Sequence, residues 1–174
     1  KAETPQPVEF FRMINVGDNL ETCVAKGYVE SSNAASLEWQ LTDEKILEYF
    51  PHTKVKFDAN NEIQEIELSA SNMHYAQSSS NVDVERSFNY ILKYLAQRYT
   101  GMQKTEINEE VAHTYDRGTE FKWDTPQLAI TVKFFETKHD DEICNNQPQG
   151  ALVNWCASRD LGCGTFAEVY IVKK

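Results

Sequence analysis

A chain of 174 residues is long enough to bury a core, and 41% hydrophobic with 25% charged residues is the composition of a globular protein. Its 27 acidic against 17 basic residues leave a formal charge of −10, which argues against nucleic acid and anionic membrane surfaces, since both are gripped by Lys and Arg. The excess of carboxylates would instead steer a cationic partner, and it keeps the protein soluble.

Residues 1–7 (KAETPQP) are polar, hold two prolines and show no periodicity. Residues 1–9 are therefore predicted as a flexible leader ahead of one domain over 10–174. A signal peptide or lipid anchor ahead of Lys1 stays open. No apolar run approaches the ~20 residues that a membrane-spanning helix needs.

Residues 10–16 (FFRMINV) suit a short strand, which Gly17, Asp18 and Asn19 break. Asp18 or Asn19 can accept hydrogen bonds from the free amides of a helix start. Leu20, Cys23 and Val24 follow at helical spacing, with Gly27 as the stop. A helix of about two turns needs an apolar surface to rest on, so Cys23 points into the core or at a disulfide partner. Residues 28–36 are predicted as loop. Residues 37–41 (LEWQL) alternate as a strand, and 42–50 read as a short helix that Pro51 ends.

Residues 54–58 (KVKFD) and 62–69 (EIQEIELS) alternate around an Ala-Asn-Asn turn, which predicts a β-hairpin. Ile63 is out of phase with Ile66 and Leu68, so a bulge or turn position is expected there. Residues 71–81 are predicted as loop. Val84, Phe88, Ile91, Leu92 and Leu95 then form one helical stripe, with Asn81 or Ser80 as cap and Gly101 as the stop. Residues 102–118 are acidic and aperiodic, which reads as loop. A second hairpin is expected from 119–123 (TEFKW) and 128–135 (LAITVKFF), an irregular stretch over 136–165, and a closing strand over 166–172 (FAEVYIV).

This order has no βαβ alternation. It predicts the α+β class: an antiparallel β-sheet with a long amphipathic helix (about 82–100) and a short N-terminal helix packed on one face. No internal duplication stands out, beyond a helix-then-hairpin unit that can be read twice.

The chain carries no reaction signature. Cys23 can be paired on paper with His52, His74, His113 or His139 as a nucleophile and base. Its setting, Glu21-Thr22-Cys23-Val24-Ala25, lacks a Gly-rich elbow and reads as a structural cysteine. The acidic run His139-Asp140-Asp141-Glu142 lacks zinc or EF-hand spacing and reads as a solvated loop. Phosphate-binding glycine motifs are absent from the sequence. No catalytic residue, metal ligand or cofactor is assigned. Paired carboxylates for a hydrolase stay open, because their separation in space cannot be read from a sequence.

Four cysteines, Cys23, Cys144, Cys156 and Cys163, point to a pair of disulfides in an exported protein. Cys156 and Cys163 bracket a small ring that would present Arg159, Asp160 and Leu161 with little entropy left to lose, beside Trp155. Cys144 would then reach Cys23, although four cysteines allow three connectivities and all stay open. With Asp140 and Asp141, these residues make the expected binding element.

The run Val16-Gly17-Asp18-Asn19-Leu20-Glu21 resembles the helix opening of small exported bacterial α+β domains of the beta-lactamase inhibitor protein and outer-membrane assembly lipoprotein type. The Phe121-Lys122-Trp123 strand is similar in style. The resemblance covers about a third of the chain, and residues 102–118 and the cysteine segment depart from it. It implies a non-enzymatic, protein-binding role in the periplasm or on the envelope, and transfers no functional residue. The leading expectation is an exported domain that binds another protein, inhibitor- or immunity-like, through a disulfide-constrained C-terminal loop. A small-ligand or lipid-binding envelope protein and a hydrolase are the alternatives.

Overall fold

Alternating apolar and polar residues, two to a repeat, build most of this molecule. The computed structural model describes residues 15–30, 38–41, 52–73, 84–111, 114–139 and 164–174. The elements in chain order are α1 (Leu20–Ala25), β1 (Tyr28–Glu30), β2 (Glu38–Leu41), β3 (His52–Phe57), β4 (Ile63–Met73), α2 (Val84–Arg98), β5 (Gln103–Val111), β6 (Thr114–Asp124), β7 (Leu128–His139) and β8 (Gly164–Lys173). The α+β class and the antiparallel sheet stand as expected from the sequence. The eight described strands join one sheet in the order β1-β2-β3-β4-β8-β7-β6-β5, and every pairing among them is antiparallel.

That order reads the same from both edges. Among the described residues, one helix followed by four sequentially paired strands occurs twice, and the two units meet through their last strands, β4 and β8. The duplication is therefore one of topology, with a two-fold at the β4–β8 seam.

The core lies on one face. Val55, Ile66, Ile171, Ile130 and Trp123 occupy one register row across β3, β4, β8, β7 and β6, and all are buried. Leu68, Val169, Val132 and Phe121 make the next buried row. Helix α2 covers β4, β7 and β8 with Val84, Ser87, Phe88, Ile91 and Leu95. Phe88 stacks on Phe134 at 4.7 Å and tilts against Phe121 at 5.7 Å. Burying each such side chain contributes about 1.5–3 kcal/mol.

Helix α2 is shorter than predicted, 15 residues from Val84 to Arg98. Tyr99 and Thr100 fall outside it, and Gly101 takes a left-handed φ of 77° that ends the helical path. Positions 82 and 83 lie outside the described residues, as do the leader 1–9 and the helix expected over 42–50. Of the strand expected over 10–16, only Asn15 and Val16 are described, and they are not strand.

Helix α1 has only 6 residues and stands because its start is stitched to a neighbouring turn. Asn19 caps it, its Oδ1 accepting from the Thr22 N–H at 2.9 Å. The Gly17 N–H donates to the Ile63 carbonyl at 2.9 Å, Ile63 N–H to Asp18 at 2.8 Å, and Leu20 N–H to Asn61 at 3.0 Å. The β3–β4 turn that receives these bonds is itself fixed. Asp58 Oδ1 accepts from the backbone N–H groups of Asn60 and Glu62, and Asn61 takes the left-handed region at φ 57°. The register shifts beside this turn, so Ile63 faces Phe57 while Glu65 faces Lys56. This is the irregularity that the phase of Ile63 predicts.

Several expected loops are strands. Residues 103–111 and 114–118 belong to β5 and β6, and their polar residues hid them, because β5 is an outer strand with little apolar surface to bury. Strand β1 takes the first part of the expected 28–36 loop, and β4 runs on to Met73. Strand β7 reaches His139 and β8 opens at Gly164, which trims the irregular stretch at both ends.

Candidate functional site

The residues out of phase with the core face away from both helices. They form the opposite side of the sheet, and its middle is charged and aromatic. One register row runs Lys122, Thr131, Tyr170, Glu67, Lys54 across β6, β7, β8, β4 and β3. The next runs Glu120, Lys133, Glu168, Ser69. A third holds Gly118, Phe135, Phe166 and Ser71. The last two strands of the first unit contribute two cross-strand Lys–Glu pairs, Lys54 opposite Glu67 and Lys56 opposite Glu65, and those of the second contribute Lys133 opposite Glu168.

Charges on this face are knitted together. Lys56 Nζ lies 3.3 Å from Glu65, and Glu120 takes both Lys122 at 3.0 Å and Lys133 at 3.7 Å. The Tyr170 hydroxyl donates to Glu168 Oε2 at 2.8 Å. Burial between the central strands pushes the Glu67 carboxyl above its ordinary value; Lys54 and Lys56 oppose the shift, while Glu65 and Glu168 add to it. Burial likewise pushes the Tyr170 phenol well above its ordinary value, reinforced by the hydrogen bond to Glu168 and by the charge of Glu168, Glu67 and Glu65. Tyr170 is therefore a neutral donor at physiological pH.

Apolar surface adjoins these charges. Phe135 and Phe166 stack at 5.3 Å with 15° between their planes, and both are half-buried. Gly118 permits this arrangement: a Cβ at that position would collide with the Phe134 carbonyl and with Phe135 Cα and Cβ. Among the described residues, no three His, Cys, Asp or Glu side chains are placed to hold one metal ion.

Cys23 is a free, fully buried thiol on α1 that packs in the core, and Cys144, the partner considered for it, lies outside the described residues. Burial, helped by the charge of Asp18, pushes its pKa up to about 11, which keeps it protonated at neutral pH. The remaining expected site residues, Asp140, Asp141, Cys144, Trp155, Cys156, Arg159, Asp160, Leu161 and Cys163, lie outside the described residues. The Glu67, Glu168, Tyr170 and Lys133 group was not singled out from the sequence. Its signal was there in EIELS, LAITVKFF and FAEVYIV, where polar, charged or aromatic residues alternate with the core positions.

No family model, curated protein or solved structure matches the chain. No helix among the described residues is long and apolar enough to cross a membrane.

Proposed function

We propose that this chain is an exported, non-enzymatic domain, inhibitor- or immunity-like, that binds another protein across the face of its sheet turned away from the two described helices. The observation that carries this reading is a wide sheet whose side away from the two described helices combines Tyr170 and the Phe135–Phe166 stack with paired Lys and Glu residues. Aromatic side chains such as Tyr170 are the anchors on which protein interfaces most depend. The overall charge of −10 favours a cationic partner and speeds its approach. Periplasmic, envelope-associated or secreted placement rests on the cysteine content and on the resemblance to small exported bacterial domains. The binding element expected over residues 140–163, with its proposed Cys156–Cys163 ring, falls between β7 and β8 in the chain and outside the described residues.

The test is affinity capture from an envelope extract with the wild type, Tyr170→Ala and Lys133→Glu, at low and high salt. A single partner retained by the wild type, with its Kd raised at least about tenfold by either substitution, is expected. A partner held equally by all three, or none at either salt, overturns the reading. Intact mass with and without reductant checks the Cys156–Cys163 bond, and a chain with both thiols free removes the ring.

A further inference from the structure

The two edges of the sheet are not alike. Strand β1 has three residues, whereas β5 has nine, with an unbroken register to β6 and no partner on its outer side among the described residues. Natural sheets blunt such edges with proline, bulges, short strands, covering elements or lysines. Strand β5, QKTEINEEV, has no proline, its register carries no bulge, and its side chains from Gln103 to Glu110 are exposed apart from half-buried Ile107.

What β5 does carry is negative charge. Lys104, its one cation, lies over the Phe121 ring at 5.8 Å, drawn toward β6. Glu106, Glu109 and Glu110 are left on the edge. A second copy of the chain would bring a second set of carboxylates against these three, so like charge opposes self-pairing.

Resting on the protein-binding reading above, we propose that β5 captures an extended, basic segment of the partner protein as a ninth strand, antiparallel like every other pair in the sheet. Main-chain hydrogen bonds supply the grip and the alternating side chains supply the selection. Alternation from Lys104, which shares its row with core residue Phe121, puts Glu106 and Glu110 on the helix side and Ile107 and Glu109 on the other. The complementary strand, read from its amino end, has cations opposite Glu110 and Glu109, a small polar residue opposite Asn108, an apolar one opposite Ile107 and a cation opposite Glu106.

The probe is a capped peptide of that pattern, Lys-Lys-Thr-Val-Lys-Thr-Thr, titrated into the isotopically labelled full chain and followed by NMR. Shifts concentrated on β5 amides are expected, with affinity falling as salt rises. The same peptide with Glu for each Lys is expected not to bind, and Glu106→Lys with Glu110→Lys reverses the preference. Backbone N-methylation of the peptide at one set of alternate residues abolishes binding at least tenfold, and methylation of the other set does not. Equal binding by both methylated sets, an unchanged preference in the double variant, or a concentration-dependent dimer that β5 substitution dissolves overturns the inference. Tyr170→Ala and Lys133→Glu leave peptide binding intact. A partner lost by those face variants while the peptide fails to bind therefore refutes the edge alone. A peptide that binds while extracts yield no partner refutes the protein-binding reading alone.

Discussion

Glu67 is held among groups that disagree about its proton. Burial and the neighbouring Glu65 and Glu168 raise its pKa, and Lys54 and Lys56 draw it back. A carboxyl whose folded pKa lies above its unfolded one favours folding while it is protonated. That contribution is full below the ordinary value of 4.5 and is lost as the pH rises through the folded pKa. At neutral pH the ionised Glu67 therefore costs stability. Glu67→Gln should raise the unfolding midpoint at pH 7, by less than about 1 kcal/mol because solvent screens a half-exposed group. Denaturant titrations at pH 7, 5.5 and 4 should show the gap between variant and wild type closing as the pH falls. A gap that widens toward acid would contradict the assignment. Asp58 behaves oppositely, because the backbone N–H of Glu62, helped by that of Asn60 and by Lys173, holds its carboxyl below the ordinary value. Its stabilising effect is present above the unfolded pKa and fades as the pH falls through the folded one.

At the scale of the element, the β6–β7 pair shows how a single small residue sets an inter-strand distance. Gly118 lies opposite Phe135, and any Cβ there meets backbone atoms, which cannot step aside. Gly118→Ala should destabilise the fold by about 1–3 kcal/mol, measured by chemical denaturation, and should weaken the Phe135–Phe166 stack. An unaffected midpoint would mean that the strands can part without cost. Elements whose core positions are unambiguous were legible in the sequence. The β3–β4 hairpin with its irregularity at Ile63, the β6–β7 turn and a helix cap at Asp18 or Asn19, of which the structure uses Asn19, all follow from local chemistry. Strand β5 was not legible, since Lys104, Glu106 and Glu109 sit on an outer strand that buries little on either face. Strandhood there comes from register with β6, a non-local fact. The candidate site escaped notice for a related reason. Glu67 belongs to one hairpin and Glu168 to the last strand, and only the β4–β8 pairing makes them neighbours.

At the scale of the whole molecule, α2 is the common cover, resting on β4 from the first unit and on β7 and β8 from the second. Phe88 is the centre of that contact. Phe88→Ala should cost about 3–5 kcal/mol, and Phe88→Asp, which buries an unpaired charge, should leave no folded population by circular dichroism or NMR dispersion. A cooperative transition in the Asp variant would show that the two meanders hold together without the helix. The seam they share has its own consequence. Strand β8 lies between β4 and β7, and its pairing with β4 closes a loop of about one hundred residues, an entropic cost paid late in folding. Until β8 docks during folding, β4 is left with a bare flank. Newly made protein is accordingly most vulnerable to mispairing and proteolysis in that interval, and a binding chaperone would find its target on β4.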